Sequence, residues 1–237
     1  MSTLRAGLAV TDPPFDDTGA GLDIALITAI AEQLGDTAEF VELTCAGRDE
    51  IFAALDAGAC DCVASVTELT EVDAARNAVA CARPYLVSGQ ALAVDGGRLP
   101  QVRSVDDLAG LTVAVQRGGT GQQMAEKLLA EGRVGQVRVY EPGNVRAALA
   151  DLAAGGADAV MALAPVLTEL VRPIAGVEVV QRGLSADKIA IAVARSSGAL
   201  LDRIVTAQAE LEHDGTLQRI RRKWLGNPFT DQALAVR

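Results

Sequence analysis

The stretch "AVQRGGTGQQMAEKL", Ala114 to Leu128, passes from an apolar run through Gly118, Gly119, Thr120 and Gly121 into a segment of helical period. That order is the strand, turn and helix step of an α/β protein. The turn lacks the Gly-Lys-Ser/Thr ending of a nucleotide P-loop, which argues against a nucleoside triphosphate. What it offers instead is a helix start, where N–H groups have no intrahelical partner and the dipole is positive, so an anion is stabilised. Thr120 fits two roles there: a hydroxyl for such an anion, or an N-cap worth about 1 kcal/mol to its helix.

The same alternation extends in both directions. Before the turn, Leu4 to Val10 reads as a strand, and Leu22 to Leu34 as a helix with Ile24, Ile27, Ala31 and Leu34 on one face. Phe40 to Leu43 is a second strand, Asp49 to Ala57 a helix ended by Gly58, and Asp61 to Val66 a third strand. Around the turn, Val105 to Leu108 is a short helix, Thr112 to Gln116 a strand and Gly121 to Glu131 a helix. Val137 to Tyr140, a helix from Asn144 to Ala154 ended by Gly155 and Gly156, and a strand from Ala157 to Met161 complete the second unit. Two similar units joined by extended segments, Gln90 to Val94 and Lys188 to Val193, predict two lobes with a ligand cleft between them. A C-terminal stretch supplies two more helices broken at Asp214-Gly215, and its basic run Arg219, Arg221, Arg222, Lys223 reads as a solvated helix face.

Composition narrows the partners. The 237 residues suffice for one large or two smaller cores, and hydrophobic residues at 50% with aromatics at 3% make those cores aliphatic. Twenty-one Lys and Arg stand against 31 Asp and Glu, a net charge of −10, which argues against a nucleic-acid or anionic-membrane surface and favours a small solute or a protein partner. No run of 18 apolar residues occurs, and MSTLRAGLAV lacks the basic start, apolar stretch and cleavage site of a signal peptide. The expectation is a cytosolic chain or one that begins after a removed segment. Cys45, Cys60, Cys62 and Cys81 have no histidine near them, which argues against zinc, and neither a metal nor a cofactor is expected. His213, the single histidine, reads as part of a polar helix end.

The segments "PPFDDTGAGLDIALITAIAEQLG", "IFAALDAGACDCVAS", "ARPYLVSGQALAV", "LTVAVQRGGTG", "ALADLAAGGADAVMALAPV" and "DGTLQRIRRKWLGN" fall in the order, and at nearly the spacing, of the solute-binding proteins of polar amino-acid ABC transporters. From Leu4 to Asn227 the chain resembles that family. The resemblance implies a two-lobed periplasmic-binding-protein-like fold of type II with two hinge strands. Lobe 1 would comprise residues 1–89 plus 193–237, and lobe 2 residues 90–192. It also implies an extracytoplasmic place of work with the signal or anchor segment absent from this chain, a monomer, and a membrane permease that reads the closed form. In that setting a disulfide among the four cysteines is implied, Cys62 with Cys81 preferred because both flank the end of lobe 1.

Carried over residue by residue, the resemblance assigns Gly119 and Thr120 to the ligand carboxylate. The family's second carboxylate partner is an arginine. Here ungapped counting puts Asp73 or Ala75 at that position, with Arg76 next door; Thr70 lies in the same loop. Glu68 stands where the family has a ligand-touching Thr or Ser, and Asp12 where an aromatic covers the ligand, with Phe15 as a partial replacement. Three acids, Asp12, Glu68 and Asp73, need a cation, a proton or Arg76 to compensate them. Leu163 stands where the family has an Asp for the ligand's ammonium group, and an apolar side chain cannot hold that charge. Asp158 is expected to be structural.

The function expected is capture of a small polar solute, an amino acid or related amine or carboxylate, for an ABC transporter, without catalysis. Two alternatives remain: a sensor or interaction domain that has lost its ligand, and a cyclohexadienyl-dehydratase-like enzyme with Glu68 as its acid or base.

Overall fold

The computed structural model describes residues 2–9, 12–41, 43, 48–67 and 78–226. It divides into two compact units, Met1–Val87 with Asp187–Arg237, and Ser88–Ala186.

In the first unit, strand β1 (Thr3–Leu8) pairs in parallel with β2 (Thr37–Val41) and β3 (Cys62–Thr67). Helices α1 (Leu22–Gln33) and α2 (Arg48–Asp56) make the crossovers. The first crossover is expected of α1 because Leu22, Leu26, Ile27, Ile30 and Ala31 recur at helical spacing and are buried. The sheet continues through β11 (Asp187–Ala194), antiparallel to β3, to β4 (Val79–Cys81), with β5 (Leu86–Ser88) also on β11. The C-terminal helices α6 (Gly198–His213) and α7 (Thr216–Leu225) pack on each other and on α1. The break between them falls where Gly215 takes a left-handed conformation.

The second unit carries a five-stranded sheet in the order β10-β6-β9-β7-β8. Its strands are β6 (Gln90–Asp95), β7 (Thr112–Gln116), β8 (Gln136–Tyr140), β9 (Ala159–Leu163) and β10 (Val177–Gln181). Helix α3 (Thr120–Ala130) packs on β7, β8 and β9, α4 (Val145–Ala154) on β7 and β9, and α5 (Ala164–Val171) on β6 and β10. Its core is aliphatic, built on Leu92, Val94, Val113, Val115, Leu128 and Met161.

Two expectations are corrected. The stretches Gln90–Val94 and Lys188–Val193, expected to join the units, lie within β6 and β11, which are interior strands of the two sheets. Their apolar residues are buried between neighbouring strands, and the chain crosses just before each, at Val87–Ser88 and Ala186–Asp187. The Cys62–Cys81 disulfide is not formed, since Cys62 is a buried free thiol. Strand β11 runs between the two, with Ala192 paired to Val63 on one side and to Cys81 on the other. Two strand spacings are about 9–10 Å, beyond the ~7 Å between Cα atoms that a disulfide spans. Cys45 lies outside the described residues.

Candidate functional site

In the second unit the glycine turn links β7 to α3. Gly118 sits at φ +76°, a left-handed bend that favours glycine, and Gly119 is the N-cap in an extended conformation. Thr120 is thus the first helical residue and not the cap, and the helix start has no side-chain capping bond. That removes one of the two roles open to Thr120. The Gln122 side chain instead folds back, its Oε1 accepting the Gly118 N–H at 2.7 Å. The first turn of α3 carries no acidic residue, so its N-terminus keeps its positive character.

Gly121 serves a different purpose. A Cβ there would lie 2.8 Å from Gln90 Oε1 and 3.3 Å from the Met161 carbonyl oxygen, so glycine lets β6 and β9 approach the helix start. Gln90 is buried and opens β6, where it pairs with Leu163 at the end of β9. Its N–H donates to Ser185 Oγ at 2.9 Å, and its carbonyl accepts the Leu184 N–H at 3.0 Å. The start of β6 and the end of β9 therefore lie against the start of α3 at Gly121, which follows Gly119 and Thr120 in the chain. Leu163 is half-buried and precedes α5, whose first turn contains Pro165. Asp158, at the other end of β9, accepts the Thr112 N–H at 2.9 Å and thereby ties β9 to β7.

In the first unit, Asp12 is 4% exposed and its carbonyl accepts the N–H groups of Phe15 and Asp16, closing a turn after β1. Phe15 has no exposed surface, so its ring reaches a solute only if the residues around it move. Glu68, Thr70, Asp73, Ala75 and Arg76 lie outside the described residues. His213 is the exposed last residue of α6. Of the basic run, Arg221 is committed within the unit, donating from Nε to the Tyr85 carbonyl at 2.7 Å and from Nη1 to Glu212.

A buried polar cluster was missed in the sequence. Asp23, in the first turn of α1, is fully buried and accepts hydrogen bonds from the Tyr85 hydroxyl at 2.6 Å and from the Ser65 hydroxyl. The Tyr85 oxygen in turn accepts the Ser65 N–H at 3.0 Å. Burial pushes the Asp23 carboxyl up to about 7, against the pull of its two hydroxyl donors and with a further push from Asp16. Burial, then the neighbouring carboxylate, holds the Tyr85 phenol well above its ordinary value. The available signal was an aspartate set among the apolar residues of α1, in "GLDIALI". Among the described residues, no three His, Cys, Asp or Glu side chains are grouped to hold a metal. No described helix is long and apolar enough to cross a membrane.

With this geometry in place, comparison with known proteins decides the family. Residues 4–227 match the model of the bacterial extracellular solute-binding proteins, family 3. The chain belongs to that family. This family 3 solute-binding protein is 28% identical over 234 residues to the L-cystine-binding protein TcyJ of Escherichia coli (strain K12), covering 96% of this chain and 84% of the relative. Its fold matches an ancestral arginine-binding protein bound to arginine, with a TM-score of 0.82, 35% identity, and coverage of 95% of this chain and 99% of the other. It also matches the ancestral amino acid-binding protein AncCDT-1, a precursor of cyclohexadienyl dehydratase, with a TM-score of 0.80 and 28% identity. That match covers 94% of this chain and 95% of the other. The two-lobed α/β class and the solute-binding role expected from the sequence both stand.

Proposed function

We propose that this protein captures an amino acid or a closely related amine or carboxylate outside the cytoplasm and delivers it to an ABC transporter permease, without transforming it. The observation that carries the reading is the start of α3. Gly119 and Thr120 stand at a helix N-terminus of 11 residues with no side-chain cap and no first-turn acid, which suits a solute carboxylate. The relatives' names, a cystine-binding and an arginine-binding protein, support an amino-acid-like solute. Leu163 at the end of β9 supplies no charge. In this reading Asp12, Glu68 and Arg76 are the remaining candidate partners for the charges of the solute.

The test is a thermal-shift panel of L-arginine, L-cystine, L-glutamine, simple amines and betaines, followed by calorimetry on each hit and on its carboxamide counterpart. The carboxamide is expected to bind about tenfold or more weakly, as loss of a charge-assisted hydrogen bond implies, and T120V to narrow that difference. Equal binding of acid and amide would overturn the assignment to α3. Turnover of a cyclic prephenate-like acid, abolished in E68Q, would replace it with the enzymatic reading.

A further inference from the structure

We infer that Asp23 is a positioning residue for the solute-binding turn of the first unit: one residue ties the Asp12–Phe15 turn, the Ser65 bend and Tyr85 together. The inference rests on the reading above, in which Asp12 faces the solute.

The ties are made by different parts of Asp23. Its backbone N–H donates to the Phe15 carbonyl at 3.1 Å, and that of Leu22 donates to the Pro14 carbonyl at 2.8 Å, so the start of α1 fastens the end of the turn. Gly21 permits this approach, because a Cβ there would fall 2.0 Å from the Phe15 carbonyl oxygen. The carboxylate takes the Ser65 and Tyr85 hydroxyls. Ser65 is held at φ +57°, a conformation a non-glycine residue adopts at a cost, and its N–H and hydroxyl are both engaged by the cluster. Ala64, the preceding residue, accepts the Ala9 N–H at 3.2 Å at the end of β1. Tyr85 is fixed at its other end by Arg221 of α7, and it stands two residues before the crossing at Val87–Ser88.

Among the described residues, no cation meets the carboxylate. The groups that meet it are Ser65 from β3, Tyr85 from the segment before β5 and the like-charged Asp16 from the preceding turn. From α7, Arg221 is spent on the Tyr85 carbonyl and Glu212, and from α6, Glu210 takes Gln33. An ionised Asp23 is therefore a buried charge met, among the described residues, by two hydroxyl donors alone, and local opening that admits water is its cheapest relief. The turn is held when Asp23 carries its proton and loosens as the proton leaves.

Two measurements test this. The first is hydrogen–deuterium exchange on the ligand-free protein at pH 6 and pH 8, corrected for intrinsic rates, in wild type, D23N and D23A. The amides of Phe15, Asp16, Leu22 and Asp23 are expected to lose about tenfold in protection in wild type between the two pH values, as ionisation of one buried carboxyl implies. D23N should stay protected at both, and D23A should be deprotected at both while β7 and β9 of the second unit are unchanged. The second is calorimetry with L-arginine as probe, where wild-type affinity should fall about tenfold over that range and D23N affinity should stay flat. Parallel pH dependence in wild type and D23N, in either measurement, overturns the inference, as does unchanged exchange in D23A. If D23A does not fold, Y85F takes its place with the same expectation. If wild type does not bind L-arginine, the solute reading fails for that probe, and the exchange data decide the positioning role alone.

Discussion

Replacing Asp23 by Asn should change how stability depends on pH far more than it changes stability itself. Asparagine has the same shape, and its amide can accept from the Tyr85 hydroxyl and donate to Ser65 Oγ, so the cluster stays satisfied. What disappears is the proton. The folded-state value of Asp23 is raised from 3.8 to about 7, so this group favours the folded state below 3.8 and loses that contribution as the pH rises through 7. At roughly 1.4 kcal/mol per unit, lowering the pH from 8 to 5 should stabilise wild type over D23N by about 3 kcal/mol. For a chain of this size that is a relative shift in Tm of about 6–12 °C. The assay is thermal unfolding of both proteins at half-unit steps from pH 5 to 8, read as the difference in Tm, which cancels the other titrating groups. A difference that stays constant across that range would refute the reasoning, because Asp23 would then not titrate on unfolding.

Other expectations concern the second unit and the cysteines. Gly121→Ala would push a methyl against Gln90 Oε1 and the Met161 carbonyl, and should cost about 1–3 kcal/mol. Adding Gln90→Ala should recover part of that loss, and strict additivity in the double-mutant cycle would count against the contact. Leu163→Asp puts a carboxylate on a half-buried strand end, and calorimetry should show tighter binding of α-amino acids than of their deaminated analogues; no gain would mean that the end of β9 does not face the solute. Burial pushes the Cys62 thiol well above its ordinary value, so iodoacetamide at pH 8 should alkylate it slowly in the native protein and quickly in denaturant. Equal rates would show Cys62 to be accessible.

Much of the fold could be read from the residues because local signals agreed with tertiary ones. Thr112–Gln116 is apolar, short and followed by glycines, and it is β7 with the expected bounds. The helix that follows starts one residue earlier than the glycine pattern suggested, because Gly119 rather than Thr120 caps it. The signals were weaker after Met161. Strand β9 runs on to Leu163, and Pro165, which resembles a terminator, instead sits in the first turn of α5, where a missing N–H costs nothing. Strands β4 and β5, of three residues each, are too short to show a period.

What was legible of the candidate site is the backbone pattern at the start of α3, and what was not is the set of side chains that converge from distant segments. A glycine turn at a helix start is a local pattern, so Gly119 and Thr120 could be named. Gln90 was invisible as a neighbour of Gly121 because 31 residues separate them, and only the pairing of β6 with β9 brings it to the start of α3. Asp23 was hidden for the same reason: the hydroxyls that define it come from residues 65 and 85.

Native mass spectrometry most directly tests whether this protein holds a small amino-acid-like solute. The protein would be sprayed as purified and again after mixing with the amino-acid, amine and betaine panel. The expected result is a one-to-one adduct whose mass is that of a carboxylate-bearing amino compound, retained in wild type and lost in T120V. A protein that appears at its bare mass under every condition would contradict the claim.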